Sequence, residues 1–328
     1  MSKLLVRIFL LVLFTIVPLG LYNYSQDYYG VFKKELSNRY NEPNVRFLKI
    51  QHLIDNPTRY KTVLFGSSRA GKILAYKHDS TAYNMYYSEG VPAEFMEDLT
   101  LLLDQGVSIK KVYIALDEFS FMINPEKHKD QLLRMRYEPD LINQTASYIQ
   151  FLIDPPKLGL SKYSIPTDFD VFKSGNPLHF EVDTLIERNK NDHIISSKFK
   201  SPKKYYNIRI DKSCEELERI IKLCQQNDVQ IQLFFNPVYI NTYVQYGFDL
   251  IAEIKSELAS KTEFTDFSGP SNITMNPYFF YESNHYRYMI GDSIWMHLSG
   301  QRESTFAKPV NSVNIGEILA KEKALWPN

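Results

Sequence analysis

The stretch Tyr60-Lys-Thr-Val-Leu-Phe-Gly-Ser-Ser-Arg69 determines the predicted fold, and the rest of the chain is interpreted outward from it. Residues 60–65 form a short apolar run that is typical of a buried strand, and the glycine and serines at 66–68 end that run. A helical stretch is predicted to follow as far as about His78. A strand that turns directly into a helix is the repeating unit of an α/β sheet.

The alternation of strand and helix continues towards the C-terminus. Residues 120–205 interrupt it with many prolines, and we interpret them as an insertion. The pattern predicts one three-layer α/β/α domain of the flavodoxin-like type over residues 59–300, with a mostly parallel sheet. In such sheets, ligands bind at the carboxyl ends of the strands. Further strands are predicted at 82–86, 111–116, 229–235 and 263–267, and further helices at 92–105, 213–227, 246–260 and 288–298.

The N-terminus carries an apolar segment behind a basic flank. Residues 4–21 are interrupted only by Arg7, and their length lies at the short end of the roughly 17–25 residues that span a bilayer. No small-residue cleavage site follows, which favours an uncleaved signal anchor over a cleaved signal peptide. The basic flank is predicted to stay in the cytoplasm, so the domain is predicted to be the extracytoplasmic part of a single-pass protein of the cell membrane. The predicted regions are a signal anchor at 1–24, a polar, partly helical juxtamembrane linker at 25–58, the domain at 59–300 and a C-terminal tail at 301–328.

The composition argues against several classes of protein. Lys and Arg total 38 and Asp and Glu total 38, so the formal net charge is zero, which argues against nucleic-acid binding. Cys214 and Cys224 fall in one predicted helix about 15 Å apart, which is too far for a disulfide, so both are interpreted as free thiols. No cluster of His, Cys and carboxylate residues stands out, so neither a metal nor a cofactor is predicted.

Two short motifs are weighed and set aside. Residues 66–72 match the phosphate-binding pattern G-x-x-x-x-G-K, but Ile73 occupies the position where Ser or Thr would hold Mg²⁺. The predicted extracytoplasmic location is also poor in ATP, so an NTPase is the least favoured alternative. Residues 291–293 spell Gly-Asp-Ser, but they lie in the last predicted helix, where Asp292 and Ser293 are interpreted as capping or surface residues.

One serine, one histidine and one glutamate form the predicted catalytic set. Ser68 directly follows the first core strand, at the start of the predicted helix, whose N-terminal N–H groups would face an oxyanion. A serine nucleophile needs a base, and His285 is the histidine that follows the final predicted strand. Glu282 precedes it by three residues, within reach of the imidazole on one face of a turn. Ser67 is the alternative for the exposed serine, with Ser68 then capping the helix.

Two segments near opposite ends of the domain resemble the sequence blocks of a known family. Residues 65–69 (Phe-Gly-Ser-Ser-Arg) and 278–287 (Tyr-Phe-Phe-Tyr-Glu-Ser-Asn-His-Tyr-Arg) are similar to the first and last blocks of the SGNH, or GDSL-like, hydrolase superfamily. The similarity is greatest to the membrane-anchored branch associated with cell-envelope polysaccharide acylation. It implies an SGNH-type sandwich in which Ser68 is the nucleophile, while Glu282 and His285 match the family's Asp-x-x-His with Glu in place of Asp.

The resemblance also implies an oxyanion hole. The family's second block supplies a glycine after the second strand, so the backbone N–H groups of Ser68 and Gly90 are the candidate donors. The third block, Gly-x-Asn-Asp, is absent, because residues 116–120 read Leu-Asp-Glu-Phe-Ser. Asn236, at the end of another predicted strand, is a candidate replacement for the missing asparagine.

The resemblance implies an enzyme of the cell envelope. The expected activity is that of a membrane-anchored serine esterase or O-acyltransferase that acts on acyl esters of an envelope glycan and needs no cofactor. A membrane-bound O-acyltransferase is a candidate partner, and the membrane itself is contacted through residues 4–21. The absent asparagine block and the Glu-for-Asp replacement motivate a second hypothesis, a catalytically inactive SGNH-like accessory or glycan-binding subunit of a membrane acyltransferase system.

Overall fold

The computed structural model describes residues 3–157, 165–199 and 208–327, and within these residues the chain is built around a six-stranded sheet. The strand order is β2-β1-β3-β6-β7-β8, in which all neighbours are parallel except β7 and β8. The strands β4 and β5 form a separate antiparallel pair. The strands are β1 (Thr62–Gly66), β2 (Ala82–Asn84), β3 (Lys111–Leu116), β4 (Asp168–Asp170), β5 (Asn176–Leu178), β6 (Gln230–Phe235), β7 (Phe264–Asp266) and β8 (Lys308–Val310).

Helices lie before, between and after the strands. Short 3-10 turns join them at several places, and two of these turns directly follow the first strand, at Ala70–Lys72 and Ala75–Lys77. The helices are α1 (Lys3–Gln26), α2 (Val45–Asp55), α3 (Pro92–Asp104), α4 (Leu141–Ile153), α5 (Phe180–Arg188), α6 (Lys190–Ile194), α7 (Ile210–Gln226), α8 (Ile240–Tyr243), α9 (Phe248–Lys261), α10 (Tyr288–Leu298) and α11 (Ile315–Ala324).

The two faces of the sheet are covered by different helices. Successive side chains of a strand point to opposite faces, so neighbouring strand residues join different core clusters. Val63 and Phe65 pack with α2, α3, α7 and α9 on one face. Leu64 packs with α10 on the other face. The predicted α/β architecture, with a mostly parallel sheet between two helical layers, is confirmed.

Helix α1 is the apolar N-terminal helix that the sequence predicts. Its most apolar 18-residue window has a mean hydropathy of 2.6 and none of that window is buried, so the helix is long and apolar enough to cross a membrane. At its C-terminal end, the Asn23 side chain donates hydrogen bonds to the backbone oxygens of Leu152 (2.8 Å) and Asp154 (2.7 Å). The helix is thereby attached to the end of α4.

The segments before and after the predicted domain pack into it. Residues 25–58 were expected to form a polar linker, but their helix α2 buries Phe47, Ile50 and Leu53 in the main core. The sequence looks polar there because α2 also carries Arg46 and Lys49, which are buried as well and bonded to other elements. Residues 301–328 likewise extend the fold, because they supply β8 at the sheet edge and helix α11.

The prediction of one continuous helix from Ser68 to about His78 is wrong. The chain makes two single 3-10 turns there, because side chains from elsewhere bind the carbonyl oxygens that a longer helix would use. The Asn84 amide donates to Ala70 O (2.8 Å) and Ile73 O (3.1 Å). The Asn176 amide donates to the carbonyl oxygens of residues 71 and 73, each at 2.9 Å. Ser68 is therefore not at the N-terminus of a long helix, and the predicted stabilisation of an oxyanion by such a helix does not apply.

The predicted insertion at 120–205 lies partly outside the described residues, at 158–164 and 200–205. Its described part is packed onto the sheet, since Phe151, Phe169 and Val171 belong to the same core cluster as the strands. The insertion therefore shares the core of the domain.

Candidate active site

The candidate site lies at the carboxyl edge of the sheet, where β1 meets β3. In the sheet order, β1 stands between β2 and β3, so the chain leaves β1 towards one side and later returns on the other. Such a switch point opens a crevice at the strand ends. Gly66 ends β1 there, and a Cβ at this position would lie 2.5 Å from Ala70 Cβ and 2.8 Å from Ala115 Cβ. Glycine is therefore needed for the close approach that starts the serine loop.

Ser68 and His285 are adjacent although they lie far apart in the chain. The Ser68 Oγ is 2.8 Å from His285 Nε2, and His285 Nδ1 is hydrogen-bonded to Glu282 Oε1. His285 follows a 3-10 turn at Pro277–Phe279, not a strand as expected, and the Tyr281 N–H closes its loop on His285 O at 2.8 Å. An imidazole in this position can accept the serine proton while the carboxylate stabilises its charged form.

Glu282 is held by its own loop. Its second carboxylate oxygen, Oε2, accepts the backbone N–H of Asn284 at 2.9 Å, so the longer glutamate arm folds back over the turn. Burial by itself would raise the pKa of Glu282, but the charge and hydrogen bond of His285 outweigh it and lower the pKa to about 2. The carboxylate is therefore ionised throughout the neutral pH range.

The neighbouring serine has a different role. Ser67 is fully buried, and its hydroxyl donates to Asp117 Oδ2 at 2.5 Å. Of the two candidate serines, Ser68 is the one that faces His285, and Ser67 joins the serine loop to the end of β3.

Arg69 links the serine loop to the histidine loop, a role that the sequence interpretation missed. Its guanidinium donates to Asp117 Oδ1 (2.9 Å) and Glu118 Oε2 (3.0 Å), and its Nε donates to Asn284 O (2.9 Å). The side chain is almost fully buried, so these contacts are shielded from water. The sequence signal was the acidic pair after β3, which occupies the place of the expected asparagine block.

The two other predicted oxyanion donors are hydrogen-bonded to groups of the protein. The Gly90 N–H donates to Tyr87 O at 3.2 Å. Asn236 is fully buried, where its amide donates to Asp117 Oδ1 (3.2 Å) and its oxygen accepts the Tyr286 hydroxyl (2.9 Å). Both groups therefore have hydrogen-bond partners within the fold, and their predicted role as oxyanion donors stays a prediction.

Two backbone donors remain near the serine. Within the described part of the chain, the backbone N–H groups of Ser68 and Ser88 make no hydrogen bond, and both residues line the same cavity. The Ser88 hydroxyl is occupied, since it donates to the Glu42 carboxylate at 2.7 Å. These N–H groups are the available donors for an oxyanion at this site.

Ser68 stands between two cavities. The first has a volume of about 270 Å³ and mostly apolar walls, and the second has a volume of about 330 Å³ and more polar walls. The predicted insertion supplies part of both. The first cavity is lined by Glu42, Ser68, Lys72, Tyr86, Ser88, Pro177, His179, Val182, Tyr281, Glu282 and His285. The second is lined by Glu42, Val45, Arg46, Ser68, Tyr87, Ser88, Glu89, Gln131, Leu133 and Arg134.

The two motifs that were set aside have structural explanations. Gly71 and Lys72 belong to a single 3-10 turn, so the strand, loop and long helix of a phosphate-binding loop are not formed. Gly291 allows α10 to approach this turn, because a Cβ there would lie 2.1 Å from Lys72 O. Asp292 Oδ1 is hydrogen-bonded to His78 Nε2 at 2.6 Å. These residues serve packing and local contacts.

Comparisons with known proteins add no assignment. No family model matches the chain, and no curated protein matches it. Across the residues that the structure describes, no group of three or more His, Cys, Asp or Glu side chains could hold a metal ion. The geometry around Ser68 therefore carries the functional argument.

Proposed function

We propose that the chain is a serine esterase or O-acyltransferase that acts through Ser68, His285 and Glu282. The observation that carries this proposal is the 2.8 Å contact between Ser68 Oγ and His285 Nε2, with Glu282 on the other ring nitrogen. A hydroxyl, a base and an orienting carboxylate that are joined by hydrogen bonds in this order form the catalytic triad of nucleophilic acyl transfer.

The proposed reaction has two halves. The Ser68 oxygen attacks the acyl carbonyl while His285 takes the hydroxyl proton, and the N–H groups of Ser68 and Ser88 bind the oxyanion. Collapse of the tetrahedral intermediate breaks the ester bond, and His285 returns the proton to the departing alcohol. Water or a sugar hydroxyl then attacks the acyl-enzyme, and His285 transfers the attacking proton to Ser68 as the acyl group leaves.

The arrangement of chain and site supports an SGNH-like assignment. When the strands of the main sheet are numbered by their order along the chain, β2-β1-β3-β6-β7 follow the doubly wound order 2-1-3-4-5. The serine comes after the first of these strands, and the histidine comes before α10. The apolar helix α1 supports a membrane anchor. From its basic N-terminal flank we propose that the domain lies on the extracytoplasmic side. We therefore propose an acylated envelope glycan as substrate and a membrane-bound O-acyltransferase as a candidate partner.

The two cavities are consistent with an ester that has a group on each side of the reacting carbonyl. Ser68 lines both, so one side of the ester can enter each cavity. A second bound alcohol would make the protein a transferase, whereas water would make it an esterase, and both use the same three side chains.

The test uses the full chain in detergent. Ser68→Ala is expected to abolish ester turnover and fluorophosphonate labelling, because it removes the nucleophile. Ser293→Ala, in the Gly-Asp-Ser segment of α10, is the matched control and should keep both. Normal labelling of the Ser68→Ala protein, or unlabelled wild-type protein with an intact fold, would remove the enzymatic proposal.

One observation favours a second candidate function, an inactive glycan-binding subunit. Gly90 and Asn236 are bonded elsewhere, so two of the three oxyanion donors expected from the sequence have other hydrogen-bond partners. In that case the wild-type protein and Ser68→Ala should bind acylated glycan equally well, and neither should release the acyl group.

A further inference from the structure

Lys72 is a buried lysine that lines the same cavity as Ser68. Only 7% of the residue is exposed, and it lines the first cavity together with Ser68 and His285. Its Nζ lies 5.1 Å from the ring centre of Tyr281 and 5.3 Å from that of Tyr288. The amino group therefore lies beside two aromatic rings, and one of these, Tyr281, also lines the cavity.

The carboxylates near Lys72 are committed to other partners. Asp183 Oδ1 is 2.8 Å from Arg287 Nε, and Glu282 is bonded to His285. Over the described ranges, Lys72 makes neither an ion pair nor a side-chain hydrogen bond. A buried lysine is normally paired directly with an acid, and the amino group of Lys72 lacks such a direct partner.

We propose that the first cavity binds a carboxylate of the substrate through Lys72, a specificity that rests on the proposed ester chemistry at Ser68. The walls around the ammonium are apolar, with Pro177 and Val182 from the insertion, and the volume of about 270 Å³ suits one small group. The carboxylate has two possible sources, a uronic acid ring on the alcohol side of the ester or a dicarboxylic chain on the acyl side.

The charge state of Lys72 supports this inference. Burial lowers the pKa of Lys72 to about 7, against the opposing effects of Asp183 and Glu282. A bound carboxylate stabilises the charged form, so binding is expected to take up protons above about pH 7. The other ionisable groups around Lys72 are Glu42, His179, His285, Tyr281 and Tyr288.

The kinetic test uses matched esters that differ by one carboxylate. On the acyl side, 4-nitrophenyl propionate is compared with 4-nitrophenyl hemisuccinate. On the alcohol side, an O-acetylated methyl glucoside is compared with the corresponding methyl glucuronide. Wild-type protein should prefer the charged member of one pair by about tenfold or more in kcat/KM. The pair that shows this preference tells whether the bound carboxylate belongs to the acyl side or to the alcohol side of the ester. Lys72→Met should remove that preference through KM, whereas Lys77→Met, an exposed neighbour, should keep it.

Two kinetic outcomes contradict the proposal. The first is the absence of any preference for charge in both pairs. The second is an equal fall in kcat for charged and neutral esters in Lys72→Met, because Lys72 would then act on the reaction at Ser68 and not on a substrate carboxylate.

A binding test separates this inference from the proposed function. Methyl glucuronide and monomethyl succinate are titrated calorimetrically into Ser68→Ala protein, in buffers of different ionisation enthalpy. One of them should bind with proton uptake, and the added Lys72→Met change should weaken it about tenfold or more. If an anion binds but the wild-type protein turns over no ester, the proposed enzymatic function is wrong and the proposed carboxylate site at Lys72 stands. Binding of neither anion would overturn the site even if esters are hydrolysed.

A second inference concerns helix α4, and it rests on α1 lying in a membrane. Helix α4 reads Leu-Ile-Asn-Gln-Thr-Ala-Ser-Tyr-Ile-Gln-Phe-Leu-Ile and carries no charged residue. One face is buried through Phe151, but Ile142 and Ile149 are 81% and 50% exposed. An uncharged helix with large exposed aliphatic side chains is unusual on a surface in water.

The exposed face of α4 is continuous with the membrane helix. Its last turn contacts α1, since Leu152 Cβ lies 3.9 Å from the position of a Cβ on Gly20, and Asn23 binds Leu152 O. Ile153, next to Leu152, is also exposed. We infer that α4 rests in the lipid surface beside α1 and fixes the domain against the membrane.

The test places an environment-sensitive fluorophore at single positions of the full chain in liposomes that contain spin-labelled lipid. Ile149→Cys should be quenched, Leu11→Cys on α1 should be quenched more strongly, and Val313→Cys, at an exposed turn before α11, should not be quenched. The native Cys214 and Cys224 are buried and stay unlabelled. Quenching at Leu11→Cys alone would overturn the role of α4, and quenching at none of them would overturn it together with the membrane anchor.

Discussion

Glu282 illustrates how one residue sets the chemistry of its neighbour. Glu282→Gln keeps the size of the side chain but removes the negative charge beside His285 that the proposed reaction requires. For the proposed reaction, we expect kcat for ester release to fall by about 10⁴-fold, as is typical when the carboxylate of such a triad becomes an amide. Glu282→Asp keeps the charge on a shorter arm and should retain more activity. Equal activity of wild type and Glu282→Gln would show that the carboxylate has no part in the reaction.

Arg69 holds the loop of His285 and the end of β3 in place through its hydrogen bonds. Arg69→Lys keeps a charge but cannot reach Asp117, Glu118 and Asn284 together, because a lysine lacks the planar fork of donors. We expect kcat to fall while the KM changes little, since the histidine loop loses its anchor. A kcat of Arg69→Lys equal to that of the wild type would contradict this positioning role. Thermal unfolding of both proteins serves as the control for stability.

The roles of individual residues were predicted unevenly, for a physical reason. The contact between Glu282 and His285 follows from their three-residue spacing, and the position of Ser68 follows directly from the end of β1. His285 meets Ser68 from a loop before α10 and not from the strand end that was expected. The engagement of Gly90 and Asn236 depends on the direction in which one N–H or amide group points. Hydrophobic periodicity contains no information about such directions.

At the scale of elements, the five parallel strands of the main sheet were predicted, because buried parallel strands are continuous apolar runs. The short antiparallel strands β4, β5 and β8 were not predicted. The stretch after Ser68 was mispredicted as a helix because its carbonyl oxygens are captured by Asn84 and Asn176, which come from distant parts of the chain. The helix α2 was taken for a linker because its charged residues find buried partners. In both cases long-range polar contacts outweighed the local pattern.

A buried ionic cluster joins α9, β7 and α11. Lys255 on α9 contacts Asp266 and Glu322, each at 2.8 Å, and all three side chains are almost fully buried. Lys255→Met would leave two buried carboxylates without this cation, so we expect the free energy of unfolding to fall by about 3–5 kcal/mol. Urea unfolding measures the change. Lys261→Met, at the exposed end of the same helix, should have no measurable effect.

The cost of Lys255→Met should depend on pH. Burial opposes ionisation of Asp266, but Lys255 and Lys308 outweigh it and lower its pKa below the usual value. A lowered carboxyl pKa stabilises the folded state above the unfolded pKa of about 4, and this contribution is lost as the pH falls. The difference between wild type and Lys255→Met should therefore be largest near neutral pH and shrink below about pH 4. A constant difference over this range would show that the cluster is not electrostatic in origin.

At the scale of the whole molecule, the chain from α2 to β8 shares one continuous core on one face of the sheet. The main cluster contains side chains from α2, from the described part of the insertion and from the C-terminal strand, for example Phe47, Phe151 and Val310. Elements that share a core usually unfold together. The insertion and the C-terminal segment are therefore expected to unfold with the sheet and not before it.

The two cysteines provide a measurement of this cooperativity. Cys214 and Cys224 lie on the buried face of α7, and burial raises the pKa of each thiol to about 12, so the reactive thiolate is scarce in the folded state. Trp295 reports on the opposite face of the sheet through α10, and Trp326 reports on the C-terminal end. As urea increases, thiol labelling and the change in tryptophan fluorescence should share one midpoint. Labelling that is complete before the fluorescence changes would mean that α7 opens separately, and the two faces of the sheet would then be independent units.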